Sequence, residues 1–248
     1  MSGYRELAPP APLAQWLACG WISRRAGTAR VLPDGCVDVV WTGERLIVAG
    51  PATSAHVAGD APGVPKVGVR FRVGAAESAL GLPASELRDA NPLAVDVVGG
   101  AVADRVAAVG DAPERVLVEL TGAVAARLRD APPADPLVRA AARALADPGA
   151  RVESVAERVG MSERQLRRRF ESAVGYGPKV LARVLRLQRF LTLAEAPASG
   201  GLARLAAEAG YADQAHLTRD STALAGVTPS VLLAERHTAA GERTLLAA

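Results

Sequence analysis

The sequence predicts an α+β protein in which a β-rich N-terminal region with trailing helices precedes an all-α domain. Three observations support this prediction. Strand-like alternation is confined to about the first 75 residues. Beyond that point apolar residues recur with helical spacing, and the C-terminal half contains an internal repeat. The chain has 248 residues, half of them apolar, which is enough for two ordinary domains with cores of their own.

The N-terminal strands are predicted from alternation and from the glycines and prolines between them. Residues 67–73 alternate strictly, with valine and phenylalanine on one face and Arg70 and Arg72 on the other. Residues 30–41 contain a Pro-Asp-Gly turn followed by β-branched residues, and residues 45–49 form a second short strand. We expect the two arginines to point to solvent; the alternative is that they hold an anionic effector.

Helices are predicted on both sides of a proline-rich segment that no helix can cross. The predicted helices are 75–82, 101–109, 113–128, 137–146, 152–159 and 178–194. The domain organisation that follows is a β-rich regulatory domain with C-terminal helices at 1–130, a stiff linker at 131–136, an all-α domain at 137–236 and a flexible tail at 237–248.

Residues 156–170, AERVGMSERQLRRRF, have the pattern of a helix-turn-helix unit. A helix ends at Gly160, and Ser162 is a suitable N-cap for the next helix. Spacing of 100° per residue separates an arginine-rich face of that helix from an apolar face. The arginine-rich face carries Arg164, Arg167 and Arg168, and the apolar face carries Leu166, Phe170 and Ala173. Such a helix is suited to a DNA major groove.

A second unit follows about 51 residues later. The shift brings Ser162 onto Asp213, Leu166 onto Leu217, Arg168 onto Arg219, Gly175 onto Gly226 and Pro178 onto Pro229. Residues 178–194 between the units form a helix of roughly 25 Å. We therefore expect two recognition helices in successive major grooves of double-stranded DNA, about 34 Å apart.

Residues 137–234 resemble the DNA-binding domain of AraC/XylS-type transcription regulators. The matching pieces are SVAERVGMSERQLRRRF, GYGP, LARLAAEAGYADQAHLTR and AGVTPS. LPDGCVDVVW and VGVRFRVGAA are similar to the sensor-like domain of one branch of that family. The resemblance implies a partial, cupin-like β-barrel at the N-terminus. It also implies control of the DNA-binding domain by a small-molecule effector or by dimerisation, with RNA polymerase as a partner if the protein is an activator.

Seven residues are the candidate DNA contacts. They are Arg164, Gln165, Arg167 and Arg168 in the first unit, and Gln214, His216 and Arg219 in the second, where the resemblance selects them. Arginine can bind guanine, and glutamine can bind adenine, through two hydrogen bonds each. The alternatives are a solvated basic face for the arginines and an ordinary surface position for His216. Which arginines contact bases and which contact phosphate stays open.

The second unit departs from the first at two positions. The repeat places Ser221 where the first unit has Phe170, and Asp220 where it has Arg169. Both lie near the apolar face of the second recognition helix. Loss of a packed phenyl ring costs about 3–5 kcal/mol. The sequence therefore predicts a looser second unit that Ser221→Phe would stabilise.

Charge is distributed unevenly along the chain. The net charge is +3, with 13 basic and 14 acidic residues before position 135, and 16 and 12 from there on. The C-terminal half is thus the part expected to meet a polyanion. We find no secretion signal or apolar membrane span in the sequence, and we expect a cytoplasmic location.

No enzymatic activity, cofactor or metal site is predicted, and no effector-binding residue can be named. Cys19 and Cys36 are expected to be buried thiols, the alternatives being a redox pair or a metal site that would need more histidines than His56. Asp34 and Asp38 lack an evident catalytic partner. Two further hypotheses are a cupin-like enzyme and an alkyl-accepting DNA-repair regulator, each fused to a DNA-binding module.

Overall fold

The structure is a computed structural model that describes residues 3–25, 27–60, 63–109, 112–196 and 200–236. Its strands are β1 Tyr4–Leu7, β2 Leu17–Ser23, β3 Gly27–Val31, β4 Asp38–Trp41, β5 Leu46–Ala49, β6 His56–Asp60 and β7 Lys66–Phe71. Its helices are α1 Ala76–Leu80, α2 Ala94–Val98, α3 Gly100–Val109, α4 Pro113–Leu128, α5 Pro136–Leu145, α6 Val152–Arg158, α7 Glu163–Val174, α8 Pro178–Ala194, α9 Leu202–Ala209 and α10 Gln214–Ala225. The predicted α+β class is confirmed. The predicted tail at 237–248 lies outside the described residues.

The strands form two antiparallel sheets. The larger has the order β1-β2-β7-β4-β5, and β3 pairs with β6 in a separate two-stranded sheet. Central strands β4 and β7 are paired so that Val39 lies opposite Val69 and Asp38 lies opposite Arg70. The sequence patterns indicated β4, β5 and β7. Strand β2 was missed because it is buried along nearly its whole length, so its residues do not alternate between apolar and polar.

Helices α1 to α4 cover the larger sheet and complete the N-terminal core. Helix α4 has the predicted bounds and buries an apolar stripe that includes Leu117 and Leu120. Leu117 packs directly against the sheet, where a Cβ on Gly20 would lie 2.8 Å from its Cδ1. Helix α2 and a short 3-10 helix at Ala84–Leu87 were not predicted, because each is too short to show a period.

Helix α8 connects the two helix-turn-helix units by belonging to two cores. Near its start, Leu181 packs with α5, α6 and α7 in the core of the first unit. Farther along, Val184, Leu187 and Phe190 pack with α9 and α10 in the core of the second. All four side chains are at most 1% exposed. The units are therefore held by one continuous helix, as the sequence predicted.

The first unit also packs against the N-terminal region. Helix α7 contacts the 3-10 helix at Ala84–Leu87. It is capped at its C-terminus by Gly175, whose φ of 90° is left-handed, and a Cβ there would lie 2.4 Å from Cγ of Pro51. The predicted linker is held at Ala134, which is 8% exposed, whereas Pro132 and Pro133 are exposed. Asp135 caps α5 and accepts a hydrogen bond from Arg169.

The two unusual positions of the second unit have partners. Ser221 is fully buried, and its hydroxyl donates to the Val227 carbonyl at 2.8 Å. The Asp220 carboxylate is 5% exposed and accepts from Arg183 at 2.9 Å. The absence of the phenyl ring is thus accompanied by polar contacts, and the structure does not support the expectation that a ring at 221 would fill an unused space.

We predict that Ser221→Phe lowers the free energy of unfolding by about 1–3 kcal/mol, because the ring must displace a bonded, fully buried side chain. Ser221→Ala is the matched control and is expected to lose about 0.5–1.5 kcal/mol, the net value of one hydrogen bond. Urea unfolding of both variants measures the difference. A Ser221→Phe protein more stable than wild type would restore the expectation drawn from the sequence.

Substitution of Gly175 tests the contact between the two halves. Gly175→Ala should destabilise the protein by more than about 1 kcal/mol, because it combines a left-handed residue with a clash at Pro51. Gly122→Ala is the control: Gly122 lies in α4, and the added methyl would meet no neighbouring heavy atom within 4 Å, so the protein should gain about 0.5–1 kcal/mol. Thermal unfolding that ranks the variants in the opposite order would contradict this packing.

Candidate nucleic-acid interface

The first recognition helix, α7, is positioned by its N-terminus. The chain leaves α6 through Gly160, which has a φ of 69°. The Ser162 hydroxyl then accepts from the backbone N–H of Gln165, and the Gln165 side-chain oxygen accepts from the backbone N–H of Ser162. This capping box fixes where the helix begins and therefore which residues face outward. Leu166 and Phe170 are both fully buried, which anchors the opposite face.

The predicted arginines of α7 are all exposed. Arg164 and Arg168 have no ion pair or hydrogen bond among the contacts of the described residues. Arg167 donates to Glu171 at 2.7 Å across one helical turn. Neighbouring Arg169 pairs with Asp135 at 2.9 Å and so fastens α7 to the start of α5. Arg164 and Arg168 are thus available to a polyanion. Arg167 is paired with a carboxylate of its own helix, and Arg169 has a structural role.

Gln165 is exposed but already bonded. Its side-chain oxygen accepts from both the backbone N–H and the hydroxyl of Ser162, at 3.0 Å each. Bidentate recognition of adenine needs this oxygen as well as the amide NH₂. Gln165 would have to leave the capping box to read a base in that way. The structure therefore gives it a capping role, of which the spacing of Ser162 and Gln165 is typical.

The second recognition helix, α10, is capped by Asp213, whose carboxylate accepts from the backbone N–H of His216. Gln214 and Arg219 are exposed, as predicted. His216 is only partly exposed. Its ring lies edge-on to Tyr211, 5.2 Å between centroids, and its side chain is 34% exposed. A half-buried aromatic contact forms because Tyr211 fills the turn before the helix.

Asp220 is the centre of a polar cluster that was not predicted from the sequence. Arg183 of α8 donates to its Oδ1 at 2.9 Å, and Arg186 Nη1 and His216 Nε2 each lie 3.9 Å from its Oδ2. The Arg186 guanidinium also lies over the Tyr211 ring, 5.3 Å from the centroid. The sequence signal that could have predicted this cluster is the acidic Asp220 on the apolar face of the second recognition helix. The cluster ties the second recognition helix to α8 by charge as well as by packing.

A second cluster lies at the end of β4 and β7. Arg70 donates to Asp38 through two nitrogens and lies 3.2 Å from Asp34. Trp21 donates to the same Asp38 carboxylate at 2.9 Å. Burial raises the pKa of Asp38, and the neighbouring Arg70 opposes that shift. The expectation that Arg70 points to solvent is wrong, because the cross-strand register brings it opposite Asp38.

The remaining N-terminal candidates are simpler. Arg72 is exposed and donates to the Ala14 carbonyl. Both cysteines are free thiols, with Cys19 buried and Cys36 partly buried. Burial raises the pKa of Cys19 to about 11 and that of Cys36 well above its usual range. Neutral thiols are weak nucleophiles, so neither environment activates a cysteine for alkyl transfer.

Two further features are absent from the described residues. None of their helices is long and apolar enough to cross a membrane. No three or more of their histidine, cysteine, aspartate and glutamate side chains are grouped so that they could hold a metal ion.

Comparison with known proteins finds a family model that matches a segment of each half of the chain. Residues 155–235 match the family model described as a helix-turn-helix domain, and residues 5–92 match a domain of unknown function. No curated protein matches the sequence.

Two crystal structures of ToxT from Vibrio cholerae, one of them from strain O395, each share 9% identity with this chain. The O395 structure aligns over 95% of this chain and 98% of its own with a TM-score of 0.46, and the other over 94% and 98% with a TM-score of 0.47. A ToxT structure bound to (E)-4-(8-methylnaphthalen-1-yl)but-3-enoic acid shares 11% identity over 94% and 97%, with a TM-score of 0.44.

The capped recognition helix, its exposed arginines and the repeated unit have the arrangement of a tandem helix-turn-helix DNA-binding domain. Residues 155–235 are, more particularly, an AraC-type helix-turn-helix domain, the DNA-binding module of a class of transcription regulators.

The polar cluster at Asp220 makes a stability prediction. Asp220→Ala should lower the free energy of unfolding by about 1–3 kcal/mol, because it removes a buried acceptor bonded to Arg183. Glu208→Ala is the control: it removes an exposed ion pair with Arg204 on neighbouring α9 and should change stability little. Chemical denaturation of the two variants measures both. Equal effects would show that the Asp220 cluster contributes no more than a surface pair.

Proposed function

We propose that the protein is a sequence-specific transcription regulator whose DNA-binding domain is controlled by its N-terminal domain. The observation that carries this proposal is the capped, arginine-rich face of α7, where Arg164 and Arg168 are exposed above a fully buried apolar face. Arg219 occupies the corresponding place in the second unit. Exposed arginines on a helix of this kind supply both base and phosphate contacts.

Control by the N-terminal domain is supported by the direct packing between the two halves. A regulator needs two states that an effector or a second subunit favours differently. The contacts of Gly175 with the region around Pro51, and of Gln188 in α8 with the Pro33 carbonyl at 2.6 Å, provide surfaces whose rearrangement would reorient the DNA-binding units. The cellular setting that fits this function is the cytoplasm. A homodimer and, for an activator, contact with RNA polymerase belong to the same proposal.

Mapping of genomic binding sites supplies the operator for the decisive test. Arg168→Ala is expected to weaken binding to that operator by about 1–3 kcal/mol, or roughly 5- to 150-fold, through loss of a base or phosphate contact. Arg45→Ala, at an exposed arginine of the N-terminal region, is the control and should bind like wild type. Fluorescence anisotropy at fixed salt measures both affinities. Unchanged affinity of Arg168→Ala would remove this residue from the interface, and absence of specific genomic sites would refute the function.

Use of two successive grooves is tested on the DNA. Insertion of about five base pairs between the two half-sites rotates them by half a helical turn. Because α8 joins the units rigidly, the second unit should then lose its half-site, and affinity should fall toward that of a single half-site. Insertion of a full turn should not restore it, since a helix of this length cannot stretch. An affinity insensitive to the half-turn insertion would show that only the first unit reads the operator.

A further inference from the structure

Three arginines lie together where the chain leaves β7 and packs against α5. Arg72 follows directly after β7, and Arg139 and Arg143 stand one helical turn apart on α5. The two segments are in contact, because a Cβ on Gly74 would lie 3.0 Å from Cγ1 of Val138. These three arginine side chains form the arginine cluster. The N-terminal region supplies one of them, and the DNA-binding domain supplies the other two.

The protein does not neutralise the arginine cluster. Within the described part of the chain, none of its guanidinium groups has an ion pair with a carboxylate. Arg72 donates from Nε to the Ala14 carbonyl at 2.7 Å, which uses one of its five N–H groups. Burial lowers the pKa of Arg139, and the charges of Arg143 and Arg72 lower it further. Like charges one turn apart destabilise a helix, so the cluster weakens the free protein, and a bound polyanion would relieve that repulsion.

The arginine cluster adjoins the first recognition helix. Asp135, at the N-cap of α5, accepts from Arg169 of α7 at 2.9 Å. Residues four positions apart share a helix face, so Arg139 and Arg143 continue along α5 the face that begins at Asp135. Arg169 in turn directly follows the exposed Arg168. A surface carrying arginines therefore runs from the recognition helix along α5 to the end of β7.

Backbone phosphates border any helix that is docked in a major groove. The groove is about 12 Å wide, so a sugar-phosphate strand lies on each side of such a helix and meets the elements packed beside it. Helix α5 is packed beside α7 through the Asp135–Arg169 pair. Duplex DNA carries one negative charge per roughly 1.7 Å of its axis, so cations spaced by a helical turn can each meet a phosphate.

We propose that the arginine cluster binds the DNA backbone beside the first half-site, and that the N-terminal region thereby contacts DNA itself through Arg72. This inference rests on the proposed function, since it needs α7 in the groove. Because the contacts are with phosphates, they add affinity without reading sequence. Arg72 reaches the backbone only while the end of β7 stays packed on α5, so the packing of the two halves enters the affinity for DNA directly.

Salt dependence counts the phosphate contacts. The full chain is titrated with the mapped operator by fluorescence anisotropy between about 50 and 200 mM salt, and log K is plotted against log salt. Arg72→Gln, Arg139→Gln and Arg143→Gln should each reduce the steepness of this plot by about 0.9, and the triple variant by about 2.7. Arg115→Gln, at an exposed arginine of α4, is the control and should keep the wild-type slope. A wild-type slope in the triple variant would overturn the proposal.

Ethylation of single phosphates locates the contact, because it removes the charge of one phosphate at a time. In wild type, ethylation of phosphates that border the first half-site should weaken binding. In the triple variant, some of these positions should no longer matter, whereas positions at the second half-site should interfere as in wild type. The same interference pattern in both proteins would show that the arginine cluster does not touch the backbone.

A structural role for the cluster would give a different result. Arg139→Gln relieves repulsion in the free protein, so its midpoint of thermal unfolding at low salt should equal or exceed that of wild type. Arg139→Lys keeps the positive charge and should keep the wild-type salt slope. A lower midpoint in Arg139→Gln, or a slope in Arg139→Lys as shallow as that of Arg139→Gln, would contradict a charge that serves phosphate binding.

The experiments separate this inference from the proposed function. If no specific operator exists, both fail together. If the triple variant binds a mapped operator with the wild-type slope, the inference fails and the function stands. Poly-glutamate that binds wild type but not the triple variant, with the DNA slope unaltered, would assign the surface to an acidic polypeptide and overturn the DNA contact.

Discussion

The packing of α8 is the constraint on which the rest of the structure depends. Leu181 belongs to the core of the first unit, and Val184, Leu187 and Phe190 belong to that of the second. Because the same rigid helix fills both cores, neither unit can turn without disturbing the other. The same helix also meets the N-terminal region, since Gln188 donates to the Pro33 carbonyl and Leu181 lies against Gly35.

The two units hold their similar recognition helices through different interactions. The first buries a phenyl ring at Phe170, and the second buries a hydroxyl and a carboxylate at Ser221 and Asp220. The polar arrangement is directional: Asp220 draws Arg183 and Arg186 of α8 toward the second recognition helix. Packing of the Phe170 ring tolerates small shifts of its helix. The hydrogen bonds and ion pairs of the buried Asp220 carboxylate depend on direction and distance, so they allow fewer orientations. The second unit is thus the one whose orientation is tied most specifically to α8.

The boundary between the halves is an extensive packed contact and not a simple tether. The end of α7 meets Pro51 and Ala84 at Gly175, the proline-rich segment is partly buried, and the β3–β6 sheet reaches α10 through Ala55. Such contacts distribute coupling over several segments. The N-terminal region thus touches the second unit directly, through Ala55 and Leu224 of α10, and touches α8 through Pro33 and Gln188.

What the sequence determined by itself is local. The bounds of α4 and α8, the Ser162 capping box and the Asp213 cap all follow from interactions within a few residues, and the repeat adds the two-unit architecture. The tertiary structure decided the pairs far apart in sequence: Arg70 with Asp38 across a strand register, Arg183 with Asp220 between helices, and Tyr176 beside Gly35. It also set the His216 ring edge-on to Tyr211. The reason is physical: periodicity and caps depend on backbone geometry that a short segment already possesses, whereas these partners meet only after both halves have packed.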